Sequence, residues 1–175
     1  MTIILDTETT GLTPGHDEIL QLAIIDDQKN VLFNEYLKPV RKTEWKQAES
    51  IHGISPDMVK DKKSLVDFKD QIQELMNQAD TIIGYNLSFD LSFLVQAGIK
   101  LPIEAKRIDV MREFAPIYGE WNDYFCSYRW QKLETAARYY GYSGGTAHDA
   151  LEDTYMTLFV YQEMDALNNK LKNFL

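Results

Sequence analysis

The chain has 175 residues, 45% of them hydrophobic and 12% aromatic, enough to bury a sizeable core and a length that suits one domain over 1–175 rather than two. A formal net charge of −9 and a pI near 4.8 exclude a protein that holds long nucleic acid on a broad basic surface, because phosphate neutralisation supplies most of that affinity. The single cysteine, Cys126, precludes an internal disulfide and reads as a packing residue, and no run reaches the roughly 20 apolar residues of a membrane span, so a soluble, cytoplasmic protein is expected.

Residues 2–6, 18–26 and 31–37 read as three strands, punctuated by turns at Gly11 to Gly15 and Asp26 to Asn30. The first two are apolar on both faces, as central strands are. Trp45, Ala48 and Ile51 follow at helical spacing, and Ser55 with Pro56 marks another helix start. From Ser64, the residues Leu65, Phe68, Ile72, Leu75 and Ala79 form the stripe of one amphipathic helix. A strand at 81–86 is followed by a helix that Ser88 caps and that runs to about residue 97. "RIDVM" at 107–111 reads as a short strand, and helices at 131–140 and 147–167 close the chain. Three antiparallel strands, then helices alternating with two more strands, predict an α/β fold: a mixed sheet flanked by helices.

The stretch "GEWNDYFCSYRWQK", 119–132, is aromatic-rich. Trp121, Tyr124, Phe125 and Tyr128 recur at helical spacing, which favours satellite core beneath a loop. The alternative is that these rings and Trp130 stack on unpaired bases, with Arg129 and Lys132 on phosphate. Three small basic groups (Lys38, Arg41, Lys42 and Lys46; Lys60, Lys62 and Lys63; Arg129, Lys132 and Arg138) read as solvated faces.

The first strand delivers Asp6 and Glu8. In an extended strand they project on one side about 7 Å apart. Two acids so close repel unless a cation lies between them, and hard oxygen ligands suit Mg²⁺ or Mn²⁺. "GYNLSFD" at 84–90 repeats the design: an apolar strand ends at Asn86, and Asp90 falls in a first helical turn, where the dipole favours a carboxylate. "GGTAHDALED" then brings in His148 and Asp153, with Thr146 as N-cap and Asp149 completing an acidic capping box. On a regular helix His148 and Asp153 would point about 140° apart. His148 is therefore expected on the loop or a frayed turn, with Asp149 and Glu152 facing solvent.

Asp6-x-Glu8, Asp90 within "NLSFD", and His148 followed by Asp153 resemble, in order and spacing, the three motifs of the DEDDh, or DnaQ-like, 3′-to-5′ exonuclease family. The resemblance extends to "IHGIS" at 51–55 and "KLETAARYYG" at 132–141, covering essentially the whole chain. It implies a ribonuclease H-like fold and two divalent cations, Mg²⁺ or Mn²⁺, held by Asp6, Glu8, Asp90 and Asp153. His148 corresponds to the general base, and the products would be nucleoside 5′-monophosphates from the 3′ end of single-stranded DNA or RNA. By the same resemblance Thr9, Leu12, Ile51, His52, Asn86 and Phe89 line the terminal nucleotide's pocket. Ile51 and Phe89 also suit core positions, His52 a turn and Asn86 a local cap. Tyr85 stands where many relatives carry histidine. A free-standing nuclease, a proofreading or repair subunit with a polymerase or helicase partner, and a catalytically silent binding module are the three readings to separate.

Overall fold

The computed structural model describes residues 1–145 and 148–172. Its sheet has five strands in the order β3-β2-β1-β4-β5: β1 (Thr2–Thr9), β2 (Ile19–Asp26), β3 (Val31–Tyr36), β4 (Thr81–Gly84) and β5 (Lys106–Asp109). β1 to β3 pair antiparallel, and β4 and β5 join β1 in parallel, giving the expected mixed sheet. β1 is central and its side chains alternate between two cores. Ile3 and Leu5 pack with Ile72, Met76 and Leu94 on one face, and Ile4 with Ile83, Met156 and Val160 on the other. Fully burying each such isoleucine contributes about 1.5–3 kcal/mol relative to exposure. The helices are α1 (Lys46–His52), α2 (Pro56–Val59), α3 (Lys69–Asn77), α4 (Leu87–Gln96), α5 (Val110–Tyr118), α6 (Leu133–Tyr139) and α7 (Ala150–Lys172). Among the described residues, no helix is long and apolar enough to cross a membrane.

Five local readings change. The helix expected from Ser64 is split, because the Asp67 carboxylate accepts from the Ser64 N–H at 2.7 Å and its hydroxyl at 2.8 Å, winding 65–68 as a 3-10 turn before α3. Asn86, not Ser88, precedes α4: it takes the left-handed conformation (φ 63) and its N–H donates to Asp109 Oδ1 at 3.1 Å. The 107–111 strand stops at Asp109, and Val110, Met111, Phe114 and Ala115 turn inward as the buried face of α5. The last helix starts at Ala150 rather than 147; the predicted cap Thr146 lies outside the described residues.

The fifth change is the aromatic stretch, which is neither helix nor core. Trp121–Asn122 (β6) and Ser127–Tyr128 (β7) form a two-stranded hairpin, with Trp121 opposite Tyr128. Asn122 Oδ1 accepts from the N–H groups of Tyr124 and Phe125, at 3.0 and 3.3 Å, and closes the turn. Cys126 sits in that turn at φ 48, exposed, so it is not the packing residue expected.

Candidate active site

The C-terminal half of β1 and the first turns of α4 and α7 meet beyond the carboxyl ends of the parallel strands, where open α/β sheets leave a crevice. Asp6 and Glu8 share the face of β1 that carries Ile4, the α7 side. Glu8, His148 and Asp153 each bring a ligand-type atom within 4.8 Å of one another. Asp90 is anchored on Thr7, whose N–H and hydroxyl donate to Asp90 Oδ1 at 3.0 and 2.7 Å.

The electrostatics follow from this convergence. Burial, then the charges of Asp90, Asp153 and Glu8, raise the Asp6 carboxyl well above its ordinary range. Burial and the Asp153 and Asp90 charges push Glu8 to about 8. Burial likewise lifts Asp90 to about 7, against the Thr7 hydrogen bonds, and Asp153 to about 6, against the His148 N–H. Among the described residues, no lysine or arginine lies within 4.0 Å of any of the four. Asp153 Oδ1 is buried with no hydrogen-bond partner. Hard oxygen donors, mutual repulsion and an orphaned buried oxygen are the conditions a divalent cation relieves, so the residues fit a metal site.

His148 precedes α7 in the left-handed conformation (φ 77), off the helix as expected, and its N–H donates to Asp153 Oδ2 at 3.2 Å. Asp149 and Glu152 do not face solvent. Asp149 caps α7, its Oδ1 accepting from the N–H groups of Leu151 and Glu152 at 3.1 and 3.2 Å. Its Oδ2 accepts from Gln21 Nε2 at 3.2 Å and the Tyr36 hydroxyl at 3.4 Å, while Gln21 Oε1 takes the Ala150 N–H. Glu152 accepts from the Tyr142 hydroxyl at 2.7 Å and the Gly145 N–H at 2.8 Å. β2 and β3 thus fix the start of the helix that carries Asp153. Pairing across more than 110 residues leaves no local trace, so sequence spacing missed Gln21 and Tyr36. Thr7, between the two acids of the first motif, was the one overlooked residue with a local signal.

Beside Glu8 lies a cavity of about 620 Å³ lined by Thr9, Leu12, Ile51, His52 and Phe89, five of the six residues expected around a terminal nucleotide. Ile51 is 58% exposed and Leu12 82% exposed, so neither is core. Phe89 is part-buried against Phe93, rings 4.9 Å apart. His52 Nδ1 accepts from the Ile54 N–H at 3.0 Å, which leaves Nε2 to donate to the Thr9 carbonyl at 3.2 Å. That pair clamps the Ile51-to-Ile54 turn onto the end of β1. Asn86 is not among the residues lining this cavity; it caps α4. The Tyr85 hydroxyl donates to the Gln131 carbonyl at 2.7 Å, packing at the wall of a hollow that His148 and Asp153 also line, and burial raises its phenol.

A family model described as exonuclease matches residues 3–161. DNA polymerase III subunit epsilon of Rickettsia conorii is 33% identical over 178 residues, covering 93% of this chain and 72% of that protein. DNA polymerase III PolC-type of Bacillus subtilis is 26% identical over 170 residues, 93% of this chain but 11% of that protein. Among solved structures, E. coli exonuclease I in complex with a dA16 oligonucleotide aligns with a TM-score of 0.77 at 24% identity, covering 99% of this chain and 42% of that one. Exonuclease X in complex with 5′ overhanging duplex DNA aligns at 0.67, also 24% identical, covering 97% and 92%. At those identities the structural likeness speaks to the fold, and this chain spans less than half of exonuclease I.

Proposed function

The chain belongs to the exonuclease family, as a 3′-to-5′ exonuclease of the DEDDh type, and from that premise we propose that it trims unpaired DNA or RNA to nucleoside 5′-monophosphates within one domain, 1–175. One observation carries the reading: the charges of four carboxylates from β1, α4 and α7 act on one another, and among the described residues no lysine or arginine lies within 4.0 Å of any of them. Asp6, Glu8, Asp90 and Asp153 would hold two divalent cations, Mg²⁺ or Mn²⁺. When bound, such a pair stabilises the attacking and leaving oxygens of an in-line displacement at phosphorus.

The chain's own residues do the rest. Thr7 holds Asp90 Oδ1 by two donors, so that carboxylate keeps one orientation. The His148 N–H orients Asp153 by Oδ2, leaving Oδ1 for a ligand. The exposed His148 imidazole accepts the proton of the attacking water. Leu12 and Phe89 close on the terminal base or sugar while Thr9, Ile51 and His52 bound the cavity.

A second reading, a proofreading or repair subunit working with a polymerase or helicase, is favoured by the likeness to a subunit of DNA polymerase III across 93% of the chain. The silent binding module is disfavoured by the complete acid set. The decisive assay is 5′-monophosphate release by the purified protein with Mn²⁺ against EDTA, on labelled single-stranded DNA, duplex DNA and short RNA. Release from single strands without any partner supports the free-standing reading. Release that appears only with a polymerase added supports the subunit reading. No metal-dependent release under either condition overturns both.

A further inference from the structure

The 119–131 hairpin carries five aromatic side chains that belong to none of the three hydrophobic cores. Trp121 is 50% exposed, Tyr124 87%, Phe125 70%, Tyr128 40% and Trp130 61%. An isolated two-stranded hairpin is marginal in water, and such a run of exposed rings marks a binding surface. This hairpin is nevertheless built to hold its shape. Trp121 meets Tyr128 edge-to-face at 5.1 Å, Tyr124 meets Phe125 at 4.8 Å and 90°, and Asn122 ties down the turn. At its base the Arg129 N–H donates to the Glu120 carbonyl at 2.8 Å, and Tyr85 holds Gln131.

The base of the hairpin opens on the catalytic side chains. A cavity of about 380 Å³ is lined by Tyr85, Trp130, Gln131 and Lys132 together with His148 and Asp153. The terminal-nucleotide cavity lies beside Glu8, so the two hollows flank the carboxylate cluster. Arg112 lies over the Trp130 ring at 5.5 Å while its Nε pairs with Asp109 at 3.5 Å, and Lys132, among the described residues, has no carboxylate within 4.0 Å. Glu120 pairs with Arg129 at 3.4 Å, so this acid and this base offset each other, and Glu134 is a further acid lining the cavity.

We propose that this hairpin is a stacking platform for the unpaired bases upstream of the nucleotide being cleaved. This rests on the exonuclease reading, because the strand's 3′ end must lie at the carboxylates. The occupant is a single strand rather than a protein because the aromatic surface is continuous with the catalytic cavity, where the strand's 3′ end must lie, and a single strand rather than a duplex because paired, stacked bases offer no free faces. The bases add along the rings, and Arg112 and Lys132 meet the phosphates. From Trp130 to the tip is roughly 15 Å of strand, room for about four stacked bases. A long strand engages the platform, and a dinucleotide does not reach it.

The test uses the full chain with single variants Tyr124→Ala and Phe125→Ala and the double variant, whose side chains lie outside the cores. Fluorescence anisotropy with labelled 12-nucleotide single-stranded DNA and RNA, in EDTA, measures binding without hydrolysis. The double variant should bind either strand at least about tenfold more weakly, while affinity for blunt duplex DNA stays within twofold. With Mn²⁺, kcat/KM should fall on the 12-mer and hold on a dinucleotide. Unchanged 12-mer affinity overturns the platform; equal loss on duplex overturns the unpaired-base assignment. Wild type that binds the 12-mer but never cleaves it would instead count against the exonuclease reading, leaving the binding result to stand apart.

Discussion

The backbone N–H of His148 donates to Asp153 Oδ2 at 3.2 Å, joining two residues that a regular helix would point about 140° apart. The left-handed turn at His148 makes this contact. It leaves the second carboxylate oxygen, Oδ1, buried and without a partner. An Asp153→Asn variant keeps an oxygen for the His148 N–H and removes the charge. Because losing only an outer-shell partner costs a metal enzyme about 10–100-fold, losing this ligand should cost more than about 100-fold in metal-dependent hydrolysis. The melting temperature without metal should hold or rise, since repulsion with Asp6 and Glu8 is relieved. A variant with near-wild-type turnover would remove Asp153 from the metal site.

Without metal, stability should fall as pH rises from about 4 to about 8. Glu8, Asp90 and Asp153 stand at about 8, 7 and 6, above ordinary values of 4.5, 3.8 and 3.8. In that window the folded chain binds more protons than the unfolded one, so each rise in pH favours unfolding. The stabilisation is complete below the ordinary values and is lost through the raised ones. Mg²⁺ or Mn²⁺ should reverse the fall, adding about 2.7 kcal/mol at a concentration 100 times the dissociation constant. Thermal melts at pH 5 and 8, with EDTA or with either ion, check both signs; a melting temperature at pH 8 indifferent to millimolar metal contradicts the site.

Asp149 is not an inert neighbour. Asp149→Ala removes the α7 cap and leaves Gln21 Nε2 without its acceptor on that helix. A lost cap costs about 1 kcal/mol, so the melting temperature should drop. The rate should fall about tenfold as well, because the cap adjoins His148 and sits four residues before Asp153. Asp149→Asn preserves the cap and should restore most of both. Full activity in Asp149→Ala would show that the helix start is held well enough by Gln21 and Ala150 alone.

The first strand and the metal-type acids were legible because their signals are local. Ile3, Ile4 and Leu5 announce a strand buried on both faces, and period two puts Asp6 and Glu8 together. His148 was placed off the helix by geometry alone. What failed depended on distant partners. Asn86 takes the left-handed cap because its N–H meets Asp109, 23 residues on. Asp149 turns inward because Gln21 and Tyr36 await it from β2 and β3. The spacing of 121, 124, 125 and 128 suits a helix face equally well as a hairpin whose 121 and 128 pair across a four-residue turn. Only Asn122, reaching its own downstream N–H groups, tips that balance.

His148→Ala bears on the mechanism most sharply, because the structure allows two roles for the imidazole. As a general base it should be worth on the order of 10² to 10⁴ in rate, with metal affinity nearly unchanged. As a ligand it would share a cation with Glu8 and Asp153, whose donor atoms lie within 4.8 Å of its own. The side chain is exposed, so its removal should leave the fold intact. Two measurements separate the roles. Calorimetric Mn²⁺ titration of the variant should match wild type. Higher pH should partly rescue the variant, since hydroxide then attacks without a base. If metal affinity instead fell in step with rate, His148 would be a ligand, and Tyr155 could not replace it as base. Tyr155 lies two residues past Asp153 on α7, about 200° around the helix from it, and is part-buried against the core cluster that includes Met156.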